Sequence, residues 1–529
     1  MTTLKVEIYK DRLLVLTGTE EQLQPLTAAP KHWLLPGGGL AVPWTWRDSA
    51  WLTAQGVPAV SPIFRDYDWP MPTDWRLMSH QARIADFCVR NRRGYVLAGT
   101  GSGKSASLTW ATDYLLQVGA IKRVLVIAPL SVMSDAWTPT LGRLLLGRRR
   151  HAELYGTKEL RLARARGDHD YHIINVDGLK NDEVHAQLMR NKYDAIVIDE
   201  STMIKTASTA RWKLVKPLVD QATFAWQLTG TPTPQGPDDA HGQLKMFDRF
   251  GTLDMPLTWW QNLTSYKVTK FKRVPLAGWQ DTVHKYMRPA ISFKTRDCID
   301  LPPITYIHRK VPITKVQEKA IAALLTHNAV RLDGQLVQAP NQAIVFAKLA
   351  QILAGAAYGE DGTVIEVRPT QRLEETAHIM GQAEGKVIVF APIKAAVRLI
   401  AEDMRKRGFK VATITGDVSK NQRQKIFDEF QKPGRETLDG LIAVPDAMSH
   451  GVTLTEASDT VWYAPVSKAE VYQQAIARME RQGQKRHMNV VHLWGHPRER
   501  DLYDALKSRG KGASKLQALY DKLVRGDMT

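Results

Sequence analysis

Short apolar runs, bounded by polar or turn residues, alternate with helix-like segments through the first half of the chain after about residue 90. The runs show no polar alternation, which predicts strands buried on both faces of a sheet. Strands that alternate with helices predict a parallel sheet covered by helices, and therefore an α/β fold. The runs occupy residues 94–98, 124–128, 172–176, 195–198 and 224–228.

The same pattern returns in the second half of the chain and predicts a second parallel-sheet domain. A helix-like segment at 394–408 follows the first of its apolar runs. A chain of 529 residues is long enough for several cores, because a single core rarely exceeds about 250–300 residues. The runs occupy residues 387–390, 410–413, 440–444, 461–464 and 490–494.

Three other regions depart from this pattern. Apolar residues alternate around the polar turn 10–12, which predicts a β-hairpin within a small β-rich domain at the start of the chain. Between residues 246 and 344 the strand pattern lapses, and basic residues are interleaved with aromatic ones. The tail after residue 497 is helix-like and basic. The alternating residues of the predicted hairpin are Val6, Ile8, Leu13 and Val15.

A glycine-rich segment, AGTGSGKS at 98–105, lies between a predicted strand and a predicted helix at 105–118. Its glycines let the backbone turn successive N–H groups toward phosphate oxygens, and the helix N-terminus adds partial positive charge. In such a loop Lys104 reaches the β- and γ-phosphates and Ser105 binds magnesium. A turn that binds nothing is the alternative, and the flanking strand and helix favour the phosphate loop. The predicted loop residues are Gly99, Thr100, Gly101, Ser102, Gly103, Lys104 and Ser105.

Two adjacent carboxylates, Asp199 and Glu200, follow the apolar run 195–198. Ligand sites of parallel sheets lie at the carboxyl ends of strands. Asp199 can hold magnesium through water, and Glu200 can orient or deprotonate the attacking water. Helix capping is the alternative role, and the phosphate loop upstream favours a nucleotide site. The Thr-Gly-Thr-Pro turn at 229–232 is predicted to hydrogen-bond the acidic pair, with a plain turn as the alternative.

The formal net charge of +18 favours a polyanionic partner, and nucleic acid before an acidic membrane because no basic amphipathic anchor stands out. A generally basic surface is the alternative, and the arginine triplet 148–150 is predicted to be a solvated loop. Two distant cysteines, Cys88 and Cys298, give neither a disulfide framework nor a metal cluster. The apolar runs are shorter than the roughly 18 residues of a membrane span, and the start lacks a secretion signal. These observations predict a cytoplasmic protein.

The ordered motifs resemble a superfamily 2 helicase-like ATPase of the Swi/Snf type, over residues 75–494. Their order and spacing carry the resemblance more than any single motif does. The motifs are LMSHQ at 77–81, AGTGSGKS at 98–105, APLSVMSDAW at 128–137, DEST at 199–202, LTGTPTPQGP at 228–237, LPP at 301–303, KVIVFAPI at 386–393, MSHGVTLTEAS at 448–458 and QQAIARMERQGQ at 473–484.

The resemblance implies an α/β fold of two RecA-like parallel-sheet lobes with ATP between them. A helical insertion is expected between the lobes, and a small β-rich domain precedes them. The expected domains are a β-rich accessory domain at 1–70, an ATP-binding first lobe at 71–248, helical protrusions and a linker at 249–344, a second lobe at 345–497 and a helical tail at 498–529.

The resemblance also implies further site residues. Gln81 resembles the glutamine that reads the adenine edge, so that ATP is the expected nucleotide, and Gly451 is expected to line the cleft between the lobes. Arg478 and Arg481 lie three residues apart on a predicted helix and would share one face. At least one of them is expected to be an arginine finger that neutralises charge on the transferring phosphoryl group. A solvated basic helix face is the alternative.

The function implied is that of a DNA-dependent ATPase, with ATP and magnesium as cofactors, that moves along double-stranded DNA. The resemblance suggests a compact bacterial or phage DNA translocase in replication, repair or recombination. A strand-separating helicase and a non-catalytic DNA-binding scaffold are the alternatives. Ser201 and Thr202 depart from the family, in which Ala or Gly and then His usually follow the acidic pair.

The basic and aromatic stretch 266–288 is predicted to contact the DNA backbone with occasional stacking on bases. The alternative for three tryptophans near it is a place in a hydrophobic core. These are Trp259, Trp260 and Trp279.

Overall fold

The computed structural model describes most of the chain. The described residues fall into two compact units, one containing residues up to 233 together with 237–298, and the other containing 234–236 together with the described residues after 298. Most of the expected C-terminal tail, residues 508–529, lies outside the described ranges. These ranges are 4–99, 101–145, 147–248, 255–269, 272–294, 298, 301–327, 329–332, 335–338, 342–359, 362–448, 453–481 and 483–507.

A small antiparallel sheet begins the first unit and confirms the predicted hairpin. Its strands lie in the order β1-β2-β4-β3. The strands are β1 (Lys5–Tyr9), β2 (Leu13–Thr17), β3 (Trp33–Leu35) and β4 (Gly39–Pro43).

The buried face of β2 differs from the predicted one by one residue. Leu14 and Leu16 are buried, whereas Leu13 and Val15 are only half-buried. Leu14 is paired with Val42 of β4, and both belong to one hydrophobic core. Because β2 is apolar at four consecutive positions, the sequence did not distinguish its two faces.

A seven-stranded parallel sheet forms the centre of the first unit. Its order is β13-β5-β10-β9-β6-β8-β7, with β11 and β12 forming a separate antiparallel hairpin. All five buried strands predicted for this half of the chain are present. The strands are β5 (Arg93–Ala98), β6 (Val124–Ala128), β7 (His151–Glu153), β8 (Tyr171–Asn175), β9 (Ala195–Asp199), β10 (Phe224–Thr229), β11 (Ser265–Thr269), β12 (Lys272–Pro275) and β13 (Ala290–Phe293).

Helices cover both faces of this sheet. Along β6, Val124 and Val126 enter one hydrophobic core, while Leu125 and Ile127 enter the other. This two-sided burial explains why the predicted runs lack polar alternation. The α-helices of the unit are Glu20–Leu23, Trp46–Ala54, Ile63–Asp66, Ser79–Arg90, Lys104–Gln117, Leu130–Val132, Thr138–Leu145, Lys158–Arg166, Asp182–Asn191, Ala210–Gln221, Asp238–Phe247, Leu257–Thr264 and Trp279–Tyr286.

The second unit is built on a six-stranded parallel sheet in the order β14-β23-β22-β19-β21-β20. Two antiparallel pairs, β15 with β16 and β17 with β18, accompany it. The predicted α/β class with two parallel sheets is confirmed. The strands are β14 (Ile304–Lys310), β15 (Ala329–Leu332), β16 (Gln335–Gln338), β17 (Ala356–Tyr358), β18 (Val364–Glu366), β19 (Lys386–Phe390), β20 (Val411–Ile414), β21 (Gly440–Ala443), β22 (Ala457–Trp462) and β23 (Met488–Trp494).

The helices of the second unit also lie on two sides of its sheet. Among the described residues, no helix is both long enough and apolar enough to cross a membrane. The helices are Lys315–His327, Gln342–Leu353, Thr370–Gln382, Lys394–Lys406, Lys420–Phe430, Ala469–Ile476 and Pro497–Lys507.

The expected lapse of strands between residues 246 and 344 was wrong. This segment contains helices, but β13 and β14 within it extend the two parallel sheets, pairing with β5 and β23 respectively. Both are edge strands, and their side chains are mostly half-buried or exposed. Edge strands therefore lack the continuous apolar runs from which the other strands were predicted.

The arginine triplet is not a solvated loop as predicted, because two of its members anchor a buried carboxylate. Arg148 and Arg149 bind the fully buried Asp113 at 3.2 and 2.5 Å. The Tyr67 hydroxyl donates to the same carboxylate at 2.8 Å. A buried charge needs such partners. Of the three arginines, Arg150 is the most exposed.

Candidate functional site

The glycine-rich loop connects β5 to helix Lys104–Gln117, as predicted. Gly101 and Gly103 have φ angles of 78° and 77°, a left-handed conformation that glycine adopts without steric cost. The Lys104 ammonium folds back over the loop and donates to the carbonyls of Ala98 and Gly99 at 2.8 and 3.0 Å. The loop therefore holds a buried positive charge at its centre. Thr100 lies outside the described residues.

The start of helix Ser79–Arg90 packs against this loop. His80 Nε2 donates to the Ser102 carbonyl at 2.8 Å. The Gln81 amide lies so close to Gly103 that a Cβ atom on that glycine would collide with it. Gln81 Oε1 also accepts a hydrogen bond from the Met78 N–H at 3.2 Å. Gln81 is thus held beside the loop, and Ser105 lies half-buried at the start of the next helix.

Asp199 ends β9, which is separated from β5 in the sheet only by β10. Its carboxylate accepts hydrogen bonds from Trp137 Nε1 at 2.7 Å and from the Glu200 N–H at 2.9 Å. Burial raises the pKa of Asp199, and the negative charge of Glu200 raises it further. The positive charge of Lys104 acts in the opposite direction. The Lys104 ammonium and the Asp199 carboxylate are therefore close enough for their charges to interact.

The backbone of Glu200 is strained. Its φ and ψ angles of 52° and 59° are left-handed, which is uncommon for a residue with a side chain. Such a conformation costs on the order of 1–3 kcal/mol and persists only where the surrounding structure imposes it. Here the chain changes from β9 to the turn Ser201–Ile204 at this residue. The left-handed conformation turns the chain away from the line of β9 at Glu200.

A buried glutamine connects the acidic strand end to the Thr-Gly-Thr-Pro turn. The Ser201 hydroxyl donates to Gln243 Oε1 at 2.8 Å, and Gln243 Nε2 donates to the Pro232 carbonyl at 2.6 Å. The same amide nitrogen donates to the Asp239 carbonyl at 2.8 Å. The predicted link between this turn and the acidic segment is therefore indirect and uses Ser201 and Gln243.

The predicted site residues are divided between the two units. The loop, Gln81 and the acidic pair belong to the first unit, whereas Arg478 and Arg481 belong to the second. Gly451 lies outside the described residues.

The two arginines do not share a helix face as predicted. Helix Ala469–Ile476 ends before Arg478, which is 2% exposed and whose carbonyl accepts from the Leu454 N–H at 2.9 Å. Arg481 Nη1 donates to the Thr453 hydroxyl at 3.0 Å. The sequence predicted a helix through both arginines. The chain instead forms a turn there, and these hydrogen bonds to distant residues hold it.

Three residues support the site although they were not predicted as site residues: Trp137, His80 and Gln243. Trp137 lies within the motif at 128–137, so its place in that motif was an available signal. His80 adjoins the predicted site residue Gln81 in the sequence, and this position was a weaker signal. Gln243 gave no usable signal, because nothing in the sequence indicates that this polar side chain lies buried between Ser201 and Pro232.

A family model described as the SNF2-related domain matches residues 58–354, more than half of the 529 residues. This chain belongs to the SNF2-related family. A second model, the helicase conserved C-terminal domain, matches residues 370–483. The resemblance to a Swi/Snf-type member of superfamily 2 is therefore confirmed.

Two curated relatives of this SNF2-related chain are much longer than it is. It is 24% identical over 318 residues to the SWI/SNF-related matrix-associated actin-dependent regulator of chromatin subfamily A-like protein 1 of Xenopus tropicalis, covering 57% of this chain and 31% of that protein. It is 33% identical over 113 residues to the SNF2 domain-containing protein CLASSY 1 of Arabidopsis thaliana, covering 20% of this chain and 9% of that protein.

A solved structure of the Sulfolobus solfataricus SWI2/SNF2 ATPase core in complex with dsDNA is also similar to this SNF2-related chain. The TM-score is 0.41 at 19% sequence identity, covering 87% of this chain and 95% of that one.

Proposed function

We propose that this SNF2-related protein hydrolyses ATP and uses the energy to move along double-stranded DNA. One observation carries the proposal: a buried lysine in a glycine-rich loop and a paired aspartate and glutamate meet at the carboxyl edge of one parallel sheet. Lys104 supplies a cation for phosphate oxygens, and Glu200 supplies a base for the attacking water. Membership of the SNF2-related family supports the same chemistry.

The bound nucleotide would change the partners of Lys104. Its ammonium already has two carbonyl acceptors in the loop, and phosphate oxygens would take their place. Gln81, held beside Gly103, is proposed to read the adenine edge. Glu200 is proposed to orient or deprotonate water, a role to which its strained backbone is suited.

The residues present suit magnesium. Asp199 offers carboxylate oxygens and Ser105 a hydroxyl, which are the hard oxygen ligands that this ion prefers. Each Asp199 oxygen accepts one hydrogen bond and retains a second lone pair for a water of the ion's shell. The ion, when bound, neutralises charge on the phosphates.

The second unit is proposed to supply the remaining groups. Arg478 or Arg481 would neutralise charge on the transferring phosphoryl group, and Gly451 would line the nucleotide cleft. Because Arg481 is hydrogen-bonded to Thr453, the Arg481 guanidinium would have to exchange this partner for a phosphate oxygen.

Duplex DNA is the proposed track. The net charge of +18 suits a phosphate backbone, and the Xenopus relative is named as a regulator of chromatin. The proposed setting is replication, repair or recombination in a bacterial or phage-infected cytoplasm.

The test is steady-state ATP hydrolysis without nucleic acid, with duplex DNA and with single strands. Duplex DNA should stimulate the wild type, and Glu200→Gln should lower kcat by about a hundredfold or more because it removes the base. Glu159→Gln, in an exposed helix start, is the matched control and should retain the wild-type rate. Hydrolysis that Glu200→Gln leaves unchanged would refute the proposed role of this site.

A further inference from the structure

A surface rich in apolar side chains lies between residues 257 and 276. It consists of helix Leu257–Thr264 and the β11–β12 hairpin, and we refer to it as the hairpin platform. Six large hydrophobic side chains are 36–53% exposed there. Clusters of exposed apolar side chains usually mark interaction sites. The six are Leu257, Trp259, Leu263, Tyr266, Val268 and Leu276.

The hairpin platform is firmly attached to the protein beneath it. Trp260 is fully buried, its Nε1 donates to the Pro237 carbonyl at 2.8 Å, and its ring packs edge-on against Tyr286. Trp279 is buried in the same core. Of the three tryptophans with competing predicted roles, only Trp259 is exposed. Its ring contacts Tyr286 edge-on at 6.0 Å, so it is supported on one side and open on another.

The Arg273 side chain joins the hairpin to the helix. The Arg273 guanidinium donates to Asn262 Oδ1 at 2.7 Å, and to the hydroxyl and carbonyl of Ser265 at 3.0 and 3.1 Å. Arg273 lies on β12, Asn262 on the helix and Ser265 at the start of β11. The exposed side chains of the two elements are therefore held in a fixed arrangement.

The sequence of this region is strongly basic. Residues 255–294 contain one acidic residue, Asp281, against seven basic residues. Lys267 on β11 is exposed, as are Lys285 and Arg288 after it. This charge complements a polyanion. The basic residues are Lys267, Lys270, Lys272, Arg273, Lys285, Arg288 and Lys294.

We propose that the hairpin platform binds unpaired bases of single-stranded DNA. Trp259 and Tyr266 would stack on bases, and Lys267 would contact a phosphate. In a duplex, each base face is covered by the neighbouring base and cannot stack on a protein ring. Affinity for a duplex therefore comes from cations that contact phosphates, and exposed aromatic rings add nothing to it. The proposal rests on the proposed DNA-dependent function and adds to it a second contact, to the single strand at an end or junction of the duplex.

The experiment measures binding of the full-length protein to a labelled oligo-dT strand and to a blunt duplex of equal length, by fluorescence anisotropy at one salt concentration. The double variant Trp259→Ala/Tyr266→Ala should weaken oligo-dT binding at least about tenfold, because each stacked base contributes substantially to affinity. Its affinity for the blunt duplex should stay near that of the wild type.

Two controls separate stacking from folding and from general hydrophobicity. Trp259→Phe/Tyr266→Phe keeps a ring at each position and should retain oligo-dT binding. Trp33→Ala removes another exposed tryptophan, from β3, and should leave both affinities unchanged. Thermal unfolding should show that the double alanine variant is folded, as expected for exposed side chains.

Three results would overturn the proposal: no oligo-dT binding by the wild type, no change in the double alanine variant, or an equal loss for duplex and single strand. Failure of the proposed function would look different. In that case the wild type would neither bind the duplex nor hydrolyse ATP in its presence, whatever the state of the hairpin platform.

Discussion

Asp199 is a buried carboxylate that costs the protein folding free energy. Its place at the end of β9, beside the loop, explains better why it is there. Its two hydrogen bonds, from Trp137 and from the Glu200 N–H, offset only part of the cost of removing it from water. The raised pKa means that the folded chain holds a proton there more readily than the unfolded chain does. A functional role for the ionised form explains why such a residue is tolerated.

The stability of Asp199→Asn relative to the wild type should therefore increase with pH in the nucleotide-free protein. Because the folded pKa is raised, wild-type stability falls as pH rises through the interval between the unfolded and folded pKa values. The neutral asparagine avoids this loss, by on the order of 1 kcal/mol at pH 8, and the gain should vanish near pH 4. Urea unfolding at several pH values measures it.

Asp168→Asn is the control with the opposite sign. A hydrogen bond from Arg150 lowers the pKa of this exposed carboxylate. Any contribution it makes is present at neutral pH and is lost as pH falls through the lowered pKa. A gain in Asp199→Asn that does not depend on pH would contradict the argument.

Gln243 holds together two segments that both border the site. Gln243→Leu leaves the Ser201 hydroxyl and the Pro232 carbonyl without this partner inside the protein, which should cost about 2–4 kcal/mol of unfolding free energy. Because Ser201 adjoins Glu200, kcat for ATP should fall, while KM should change little since the loop around Lys104 is untouched.

Gln261→Leu is the matched control for Gln243→Leu, because the Gln261 amide makes a more exposed hydrogen bond to Asp238. It should have little effect on stability or kcat. Gln243→Glu keeps the acceptor for Ser201 but loses the donor to Pro232, and should give an intermediate kcat. Equal kcat in Gln243→Leu and wild type would exclude the proposed link.

At the scale of elements, two glycines with positive φ flank helix Lys104–Gln117: Gly103 immediately before it and Gly119 two residues after its end. Substitutions at these two positions can separate the cost of the backbone conformation from the effect of contact with the loop. Gly103 has a φ of 77° and is crowded by Gln81, whereas Gly119 has a φ of 65° and open space beside it. Alanine at either position should cost about 1–2 kcal/mol for its backbone conformation. Only Gly103→Ala should cost more and also weaken ATP binding.

Thermal unfolding and titration with a fluorescent ATP analogue measure these effects in both variants. Similar nucleotide affinities for Gly103→Ala and Gly119→Ala would show that contact between the loop and Gln81 does not matter for binding.

The predictability of the elements follows from their burial. Strands covered on both faces, such as β6 and β9, were predicted within one residue because every position is apolar except Asp199 at the end of β9. Edge strands β13 and β14 were missed because solvent reaches their side chains. The turn that carries Arg478 was missed because hydrogen bonds from distant residues determine it, and no local pattern records them.

The candidate site shows the same division. Lys104, Asp199 and Glu200 were predicted because phosphate chemistry restricts both residue type and place in the strand order. The hydrogen bonds of Gln243 and His80 depend on which helices pack beside the strand ends. They could not be predicted, because the packing of helices on the sheet is determined by the tertiary structure and not by a local sequence pattern.

For the whole molecule, the net charge overstates the charge available to DNA, since Arg148 and Arg149 are committed to buried Asp113. Duplex affinity should still fall steeply with salt, with log K against log salt sloping by about −0.9 for each phosphate neutralised. Anisotropy titrations over a range of salt concentrations measure the slope. A flat dependence would contradict binding to the phosphate backbone.

The pairing of β13 with β5 sets a limit on how the gene can be divided. A fragment ending at Asp248, the expected lobe boundary, would leave one hydrogen-bonding edge of β5 bare. It would also remove the Phe293 carbonyl that accepts from the Gly99 N–H at 3.4 Å. Bare strand edges pair with other chains and promote aggregation. An expression fragment of the ATP-binding half must therefore extend past Phe293, through residue 298.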